Sequence, residues 1–243
     1  MHKEYTVESY DNVISYDLRK EIWDHIQQQE FHAVRKDVPI KTFGRILHYK
    51  PADGYKEYMN DAIPGVNNQY MHRCIFGDNE KDLEQHVPIR DLWNRINNYF
   101  FNRFEINGDQ EKFVDRNSPR ARVYVNIQLE ETIKRSHAIH RDTINLDEDR
   151  NFTLLYMANL EWYPSWMSEN VFYADDDTTG DTQQFQNGFG QSRDFNVGYP
   201  FKIIPPIPGR IILYDGRALH TTKPVAIWAK EMRYAVVFRI RLK

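Results

Sequence analysis

The chain has 243 residues, 32 Lys and Arg against 35 Asp and Glu for a net charge of −3, and 41% hydrophobic residues, with aromatic residues at 14% of the chain. That length and apolar content support a large folded core and exclude a disordered chain. The charge balance, with no basic tail or stripe, argues against a nucleic-acid partner.

A single cysteine, Cys74, excludes an internal disulfide framework and a cysteine-based zinc site, and it suits a reducing, cytoplasmic setting. Residues Met1 to Glu8 have no apolar centre, so no signal peptide is expected. No apolar run approaches the roughly 18 residues a membrane helix requires, so no membrane partner is expected.

In chain order, residues 1–15 read as a lead-in strand or loop. Tyr16 to Phe31 reads as a helix, with Leu18, Ile22, Trp23 and Ile26 near helical spacing and Asp17 as its expected cap. Residues 32–87 mix short apolar runs with Pro51, Gly54, Pro64 and Gly65, and predict turns and irregular structure. Pro88 to Phe104 predicts an amphipathic helix, with Ile89, Leu92, Trp93, Ile96, Tyr99 and Phe100 on one apolar face that packs on a sheet.

From Pro119 the period changes to two. Val123, Val125, Ile127 and Leu129 fall on one face of a strand, and Arg122, Tyr124, Asn126 and Gln128 on the other. The polar face suits either bulk water or a polar cavity. Strand-like runs follow at 137–143, 151–159, 170–174, 201–204, 210–214, 219–225 and 232–242, separated by turn signals such as Pro208-Gly209 and Asp215-Gly216. About eight short strands without an intervening helix predict an α+β, mainly β fold: a double-stranded β-helix, or jelly roll, with N-terminal helices on one sheet. Residues 175–200 predict a long loop, with Asp175, Asp176 and Asp177 as a solvated acidic turn and the Phe-dotted remainder as a lid or a substrate-binding loop. The expectation is one domain over 1–243, with a helical and irregular part at 1–117 and the jelly-roll core at 118–243.

Chemistry concentrates in the second half. His140 and Asp142 are two residues apart, so on a strand they point to one face, and His220 lies in another predicted strand. Two imidazoles and a carboxylate on one side of a metal make the facial set of non-haem Fe(II) oxygenases. The last strand puts Arg233, Ala235, Val237 and Arg239 on one face, a pattern suited to a buried anion pocket. His137 and Arg141 are out of phase with His140 and point away. Trp162 and Trp166 read as packing residues.

These features resemble the Fe(II)/2-oxoglutarate-dependent oxygenases of the prolyl 4-hydroxylase-like superfamily, most of all the short phage and bacterial members. Val123-Tyr124-Val125-Asn126 matches the family's aromatic-x-Asn strand before His-x-Asp. Leu154 to Trp162 matches its Leu-Tyr-Tyr-x-Asn-x-x-Trp strand, and Pro206 to Tyr214 its Pro-x-x-Gly-Arg-x-x-x-Phe element. The likeness covers residues 118–243. The family's usual Trp-Gly-Gly-Glu-Thr-x-Phe stands here as Trp166-Met167-Ser168-Glu169-Asn170-Val171-Phe172, which alters the wall of the expected substrate site.

The resemblance implies Fe(II) on His140, Asp142 and His220. It also implies 2-oxoglutarate with its distal carboxylate on Arg233, with Lys230 as the competitor. Tyr124 would add a hydrogen bond to that carboxylate and Asn126 would line the pocket. O2 would be the other cosubstrate, and the reaction would hydroxylate a protein prolyl residue or a small molecule while 2-oxoglutarate becomes succinate and CO2. Two alternatives stand beside it. One is an alkylated-base demethylase, suggested by the Arg233-x5-Arg239 spacing. The other is a non-catalytic binding module on the same β scaffold.

Overall fold

The computed structural model describes residues 2–33, 41–43, 71–77, 79–106, 123–128, 139–142, 150–176, 183–186, 192–195, 197–226 and 228–243. Strands β1 (His2–Lys3) and β2 (Val7–Tyr10) lead into helix α1 (Tyr16–Gln27). Then come β3 (Glu30–Ala33), β4 (Lys41–Phe43), β5 (Met71–Gly77), a 3-10 turn at Glu80–Gln85 and helix α2 (Val87–Tyr99). Strands β6 (Phe104–Glu105), β7 (Val123–Gln128), β8 (Asn151–Met157) and β9 (Asn170–Asp176) follow. The last are β10 (Gln183–Gln186), β11 (Ser192–Phe195), β12 (Val197–Ile204), β13 (Ile211–Asp215), β14 (Leu219–Thr222) and β15 (Arg233–Leu242).

Two antiparallel sheets form the core. The larger has the order β2-β13-β8-β15-β7-β5-β3-β4, with β6 on the end of β15. The smaller has β12 on one edge of β9, with β14 and β1 along the other edge. A bridge from His140 to His220 adds the 139–142 segment beyond β14. The alternation of β7, β8, β13 and β15 with β9, β12, β14 and the 139–142 segment is the double-stranded β-helix that the run of short strands predicts.

Period-two patterning makes the larger sheet a partition between two cores. Tyr234, Val236, Phe238 and Ile240 of β15, Leu154 and Tyr156 of β8, and Ile211 and Leu213 of β13 face the helices. They meet Ile22 and Ile26 of α1 and Ile89, Leu92, Trp93 and Ile96 of α2. Their alternates, Ala235, Val237, Leu155, Met157, Ile212 and Tyr214, face the smaller sheet and meet Phe172, Ile204 and Ala218. Val123 and Val125 of β7 are on the helix side, as the alternation predicts.

Several boundaries differ from expectation. Helix α1 ends at Gln27, and Phe31 belongs to β3, because three consecutive glutamines give way to an extended pairing with β4 and β5. Its cap is Ser15, whose side chain accepts from the Leu18 amide at 3.4 Å; Asp17 is in the first turn. Helix α2 ends at Tyr99 because Phe101 and Asn102 take positive φ values of 58° and 56° and turn the chain into β6. Tyr99 of the predicted apolar face is 47% exposed. Residues 71–77 form a strand on β7 where irregular structure is predicted, since the pairing partner is distant in sequence. Part of the predicted 175–200 loop is strand: β9 runs to Asp176, β10 pairs with β11, and β12 starts at Val197. Asp177 is outside the described residues.

Candidate metal centre

The histidines are placed by backbone pairing. His140 and His220 exchange both amide-to-carbonyl hydrogen bonds, at 3.0 and 2.9 Å. Such a pair is directly opposite, with both side chains on one face, and the two ring centroids are 4.3 Å apart. Two residues on, the Asp142 amide donates to the Gly216 carbonyl at 2.8 Å, so its carboxylate returns to the same face. One ligand atom from each of His140, Asp142 and His220 falls within 4.8 Å of the others. Asp142 Oδ1 is 3.6 Å from His140 Nε2 and 3.8 Å from His220 Nε2.

The surroundings prepare these atoms as ligands. The His220 Nδ1–H donates to the Ala218 carbonyl at 3.0 Å, which leaves the Nε2 lone pair toward Asp142 and His140. Burial pushes the His220 pKa down to about 4, against the opposing pull of Asp142, so the ring is neutral near pH 7. Burial alone would raise the Asp142 carboxyl. The Arg239 guanidinium first, and then the two imidazoles, overcome this and hold it well below the usual carboxylate range.

The two Asp142 oxygens have separate duties. Oδ2 accepts from the hydroxyls of Thr153 and Tyr214, each at 2.7 Å, and from Arg239. Oδ1 is left facing the imidazoles. His140 is the open side of the group, with its side chain 40% exposed against 3% for Asp142. The donor set fits Fe(II): two imidazoles and one carboxylate, with one exposed side for further ligands.

A second polar group occupies the same inter-sheet space. Arg233 is 6% exposed at the start of β15. Its Nη2 donates to the Asn170 Oδ1 at 3.1 Å and approaches the Met157 sulfur at 3.5 Å, while its Nε is buried and has no partner among the described residues. Among the described residues no carboxylate pairs with Arg233. Burial pushes its pKa down to about 10. Lys230, the sequence-level competitor, is exposed and precedes the strand.

Of the other predicted positions, Tyr124 and Asn126 are in β7 in register with Val237 and Ala235 of β15. His137 is outside the described residues. Arg141 points away from the centre, as its phase predicts, and pairs with Asp175 at 2.6 Å. This corrects the reading of Asp175 as part of a solvated turn: it is 9% exposed and ties β9 to the His140–Asp142 segment. Trp166 is 7% exposed and packs between Trp162 and Tyr163, at 5.2 and 4.9 Å between ring centroids.

Sequence reasoning noted Arg239 for its spacing from Arg233 and its place on the same strand face, without assigning it a partner. The structure puts it on Asp142 and, at 2.7 Å, on Thr153. Strand phase already put Arg239 on the inner face. Its partner could be found only from the β8–β15 register, which sets Arg239 opposite Thr153. Tyr214 and Asn170 were likewise missed as polar contacts of the site.

No protein-family model and no curated protein matches the chain. Among solved structures it is similar to a prolyl-4-hydroxylase from Pseudomonas putida, at 11% identity over 98% of this chain and 94% of that one, with a TM-score of 0.46. It is also similar to a prolyl hydroxylase from Trichoplax adhaerens, in complex with a peptide of the hypoxia inducible factor oxygen degradation domain. There the identity is 15% over 97% of this chain and 83% of that one, with a TM-score of 0.49. A third is AviO1 from Streptomyces viridochromogenes Tue57, at 10% identity over 98% and 90%, with a TM-score of 0.47. The fold is a double-stranded β-helix, and it brings His140, Asp142 and His220 together between its two sheets.

Proposed function

We propose that the protein is an Fe(II)- and 2-oxoglutarate-dependent dioxygenase that hydroxylates a protein side chain or a small molecule. The observation that carries this is the buried Arg233, which no described carboxylate pairs, in the inter-sheet space that also holds His140, Asp142 and His220. An uncompensated buried cation is costly, and an anionic ligand is the ordinary compensation. A guanidinium takes a carboxylate in two-pronged fashion. A metal group at one end and a carboxylate receptor at the other suit a 2-oxoacid with a second, distal carboxylate.

In this reading His140, Asp142 and His220 hold the iron. When bound, iron supplies O2 activation coupled to the oxidative decarboxylation of 2-oxoglutarate to succinate and CO2. The chain's own contribution is preparation. The Ala218 carbonyl fixes the tautomer of His220, and Arg239, Thr153 and Tyr214 fix the rotamer of Asp142 through Oδ2, with Oδ1 turned toward the imidazoles. Arg233 binds the distal carboxylate. Ala235, Val237, Leu155 and Phe172 line the same space and exclude water, which strengthens each charge interaction inside it. Tyr124 and Asn126 are assigned to the carboxylate and to the pocket lining from the resemblance and from their register beside Val237 and Ala235. Shared packing between the N-terminal helices and β8, β13 and β15 supports treating 1–243 as one domain.

The test measures Fe(II)-dependent conversion of 2-oxoglutarate to succinate by purified protein under O2, with candidate peptides and small molecules. Wild type is expected to form succinate and His140→Ala is not. Unchanged metal binding in His140→Ala, together with no succinate from wild type under any condition, would sink the proposal.

A further inference from the structure

Residues 2–10 run beside two strands that serve the metal group. Lys3 of β1 is in register with Asp175 of β9, and Val7 of β2 with Tyr214 of β13. Between these pairings the Thr6 carbonyl accepts from the Asp215 amide at 3.0 Å, and Tyr5 turns inward, 8% exposed. The guanidinium carbons of Arg141 and Arg217 lie 5.7 and 5.2 Å from the centre of the Tyr5 ring.

Arg141 stands between His140 and Asp142, so its side chain leaves the segment on the opposite face. It is held at three points. Nη1 donates to the Arg217 carbonyl, Nη2 donates to Asp175 Oδ1 at 2.6 Å, and the guanidinium lies over Tyr5. Arg217 is fixed in turn by Asp215, whose Oδ1 accepts from its Nε at 2.9 Å. Each cation has its own carboxylate, and the four side chains are at most 14% exposed. A planar guanidinium meets a carbonyl, a carboxylate and a ring face at once, which an ammonium does not reproduce.

Backbone hydrogen bonds to His220 and Gly216 fix the register of His140 and Asp142. An anchor on the opposite face resists rolling of the segment about its own axis, the motion that would swing both ligands away from His220. The Asp142 carboxylate is also held by Arg239, Thr153 and Tyr214. His140, whose side chain is 40% exposed, gains most from a backbone kept in one orientation.

We propose that Arg141 is a positioning residue for the metal ligands, and that Tyr5, by holding Arg141, makes the N-terminal segment part of the metal centre. This rests on the metal group of the function proposed above, and not on its cosubstrate or substrate.

The experiment is equilibrium dialysis of Co(II) against the full chain, with denaturant unfolding of the metal-free proteins in parallel. Wild type is compared with Arg141→Lys, Tyr5→Leu and the double variant. Arg141→Lys keeps the charge and is expected to weaken Co(II) binding roughly 10- to 100-fold, the cost of losing a partner behind the ligands. Tyr5→Leu keeps apolar bulk and weakens binding by a smaller factor. The double variant binds like Arg141→Lys alone, because Tyr5 acts through Arg141. The visible absorption of bound Co(II), which follows ligand geometry, shifts in both single variants.

A merely structural role lowers the unfolding midpoints and leaves the Co(II) affinity and spectrum of the folded proteins as in wild type. That result would overturn the proposal. A double variant whose loss is the product of the two single losses would overturn the part played by Tyr5. Should Arg141→Lys fail to fold, Asp175→Asn cuts the same anchor more mildly and takes its place, with the same two outcomes. If wild type and His140→Ala bind Co(II) alike, the metal group falls, and the proposed function with it. If His140→Ala loses Co(II) while the anchor variants bind as wild type does, only the role of Arg141 and Tyr5 is lost.

Discussion

The two faces of the larger sheet differ in kind. The helix side is closed by large apolar side chains, among them Trp93, Phe104, Tyr234 and Phe238, each no more than 2% exposed. The inner side, from the same strands, mixes small apolar residues with Thr153, Arg233 and Arg239, and faces His140, Asp142, Asn170 and His220 from the smaller sheet. The first face supplies stability through apolar burial. The second concentrates charge in a dry space, which is tolerable only where partners or ligands answer each charge. Substitutions on one face should therefore separate cleanly from those on the other.

The largest separation is expected at Asp142. Asp142→Ala removes the only carboxylate of the described metal group, and metal affinity should fall by more than the roughly 100-fold that losing an outer partner can cost. Equilibrium dialysis with a divalent metal reads this. Retention of wild-type affinity would remove the ligand assignment. On the opposite face, Phe238→Ala deletes a fully buried ring stacked on Trp93 at 5.5 Å. Denaturant unfolding should show a loss of roughly 3–5 kcal/mol, with metal affinity of the folded protein unchanged. If the metal affinity of that variant falls in parallel, the two faces are not independent.

Arg239→Gln tests the boundary between them. It removes the cation that keeps Asp142 ionised, so metal affinity is expected to fall roughly 10- to 100-fold. The loss should be greatest at low pH, where a less stabilised carboxyl takes up a proton first. An affinity loss that is flat from pH 5 to 8 would point to geometry instead.

Smaller effects are expected at the wall of the inner space and at the edge of the helix layer. Met167 and Ser168 hold φ values of 60° and 73°, a region favouring glycine, where the family pattern has two glycines. Met167 and Ser168 thus carry side chains on a glycine-like backbone. Met167→Gly should relieve strain and raise stability by about 1 kcal/mol, read as a higher unfolding midpoint. A lower midpoint would show that Met167 packing outweighs the strain.

In the helix layer His25 Nε2 and His86 Nδ1 are 3.2 Å apart, and burial depresses the pKa of both, with His86 adding to the effect on His25. The unfolded chain then binds protons first. Stability is full above an unfolded pKa of about 6.5 and declines as pH falls below it toward the folded values. His220 contributes in the same direction in metal-free protein. His25→Gln should therefore reduce, not abolish, the fall in unfolding midpoint between pH 7.5 and 5.5. An identical fall in both proteins would exclude the pair.

How much of this was legible depends on distance along the chain. The helices showed through the spacing of Ile22 and Ile26 and of Ile89, Leu92, Trp93 and Ile96, because burial on one face is a local pattern. The strands showed through alternation, which also assigned Arg233 and Arg239 to one face. Strand β5 did not show, because Met71–Gly77 is defined by pairing with Val123–Gln128, some fifty residues on. Asp175 was misread for the same reason: its partner is Arg141, in the separate 139–142 segment.

The sequence by itself determined which residues lie in phase on each strand, and hence that His140 and Asp142 share a face and that Arg233 is accompanied by small residues. These follow from the geometry of an extended chain. Only the tertiary structure decided that His220 stands opposite His140, that Arg239 answers Asp142, and that Asn170 turns its oxygen to Arg233. Each depends on register between strands or sheets far apart in sequence, which local periodicity does not encode.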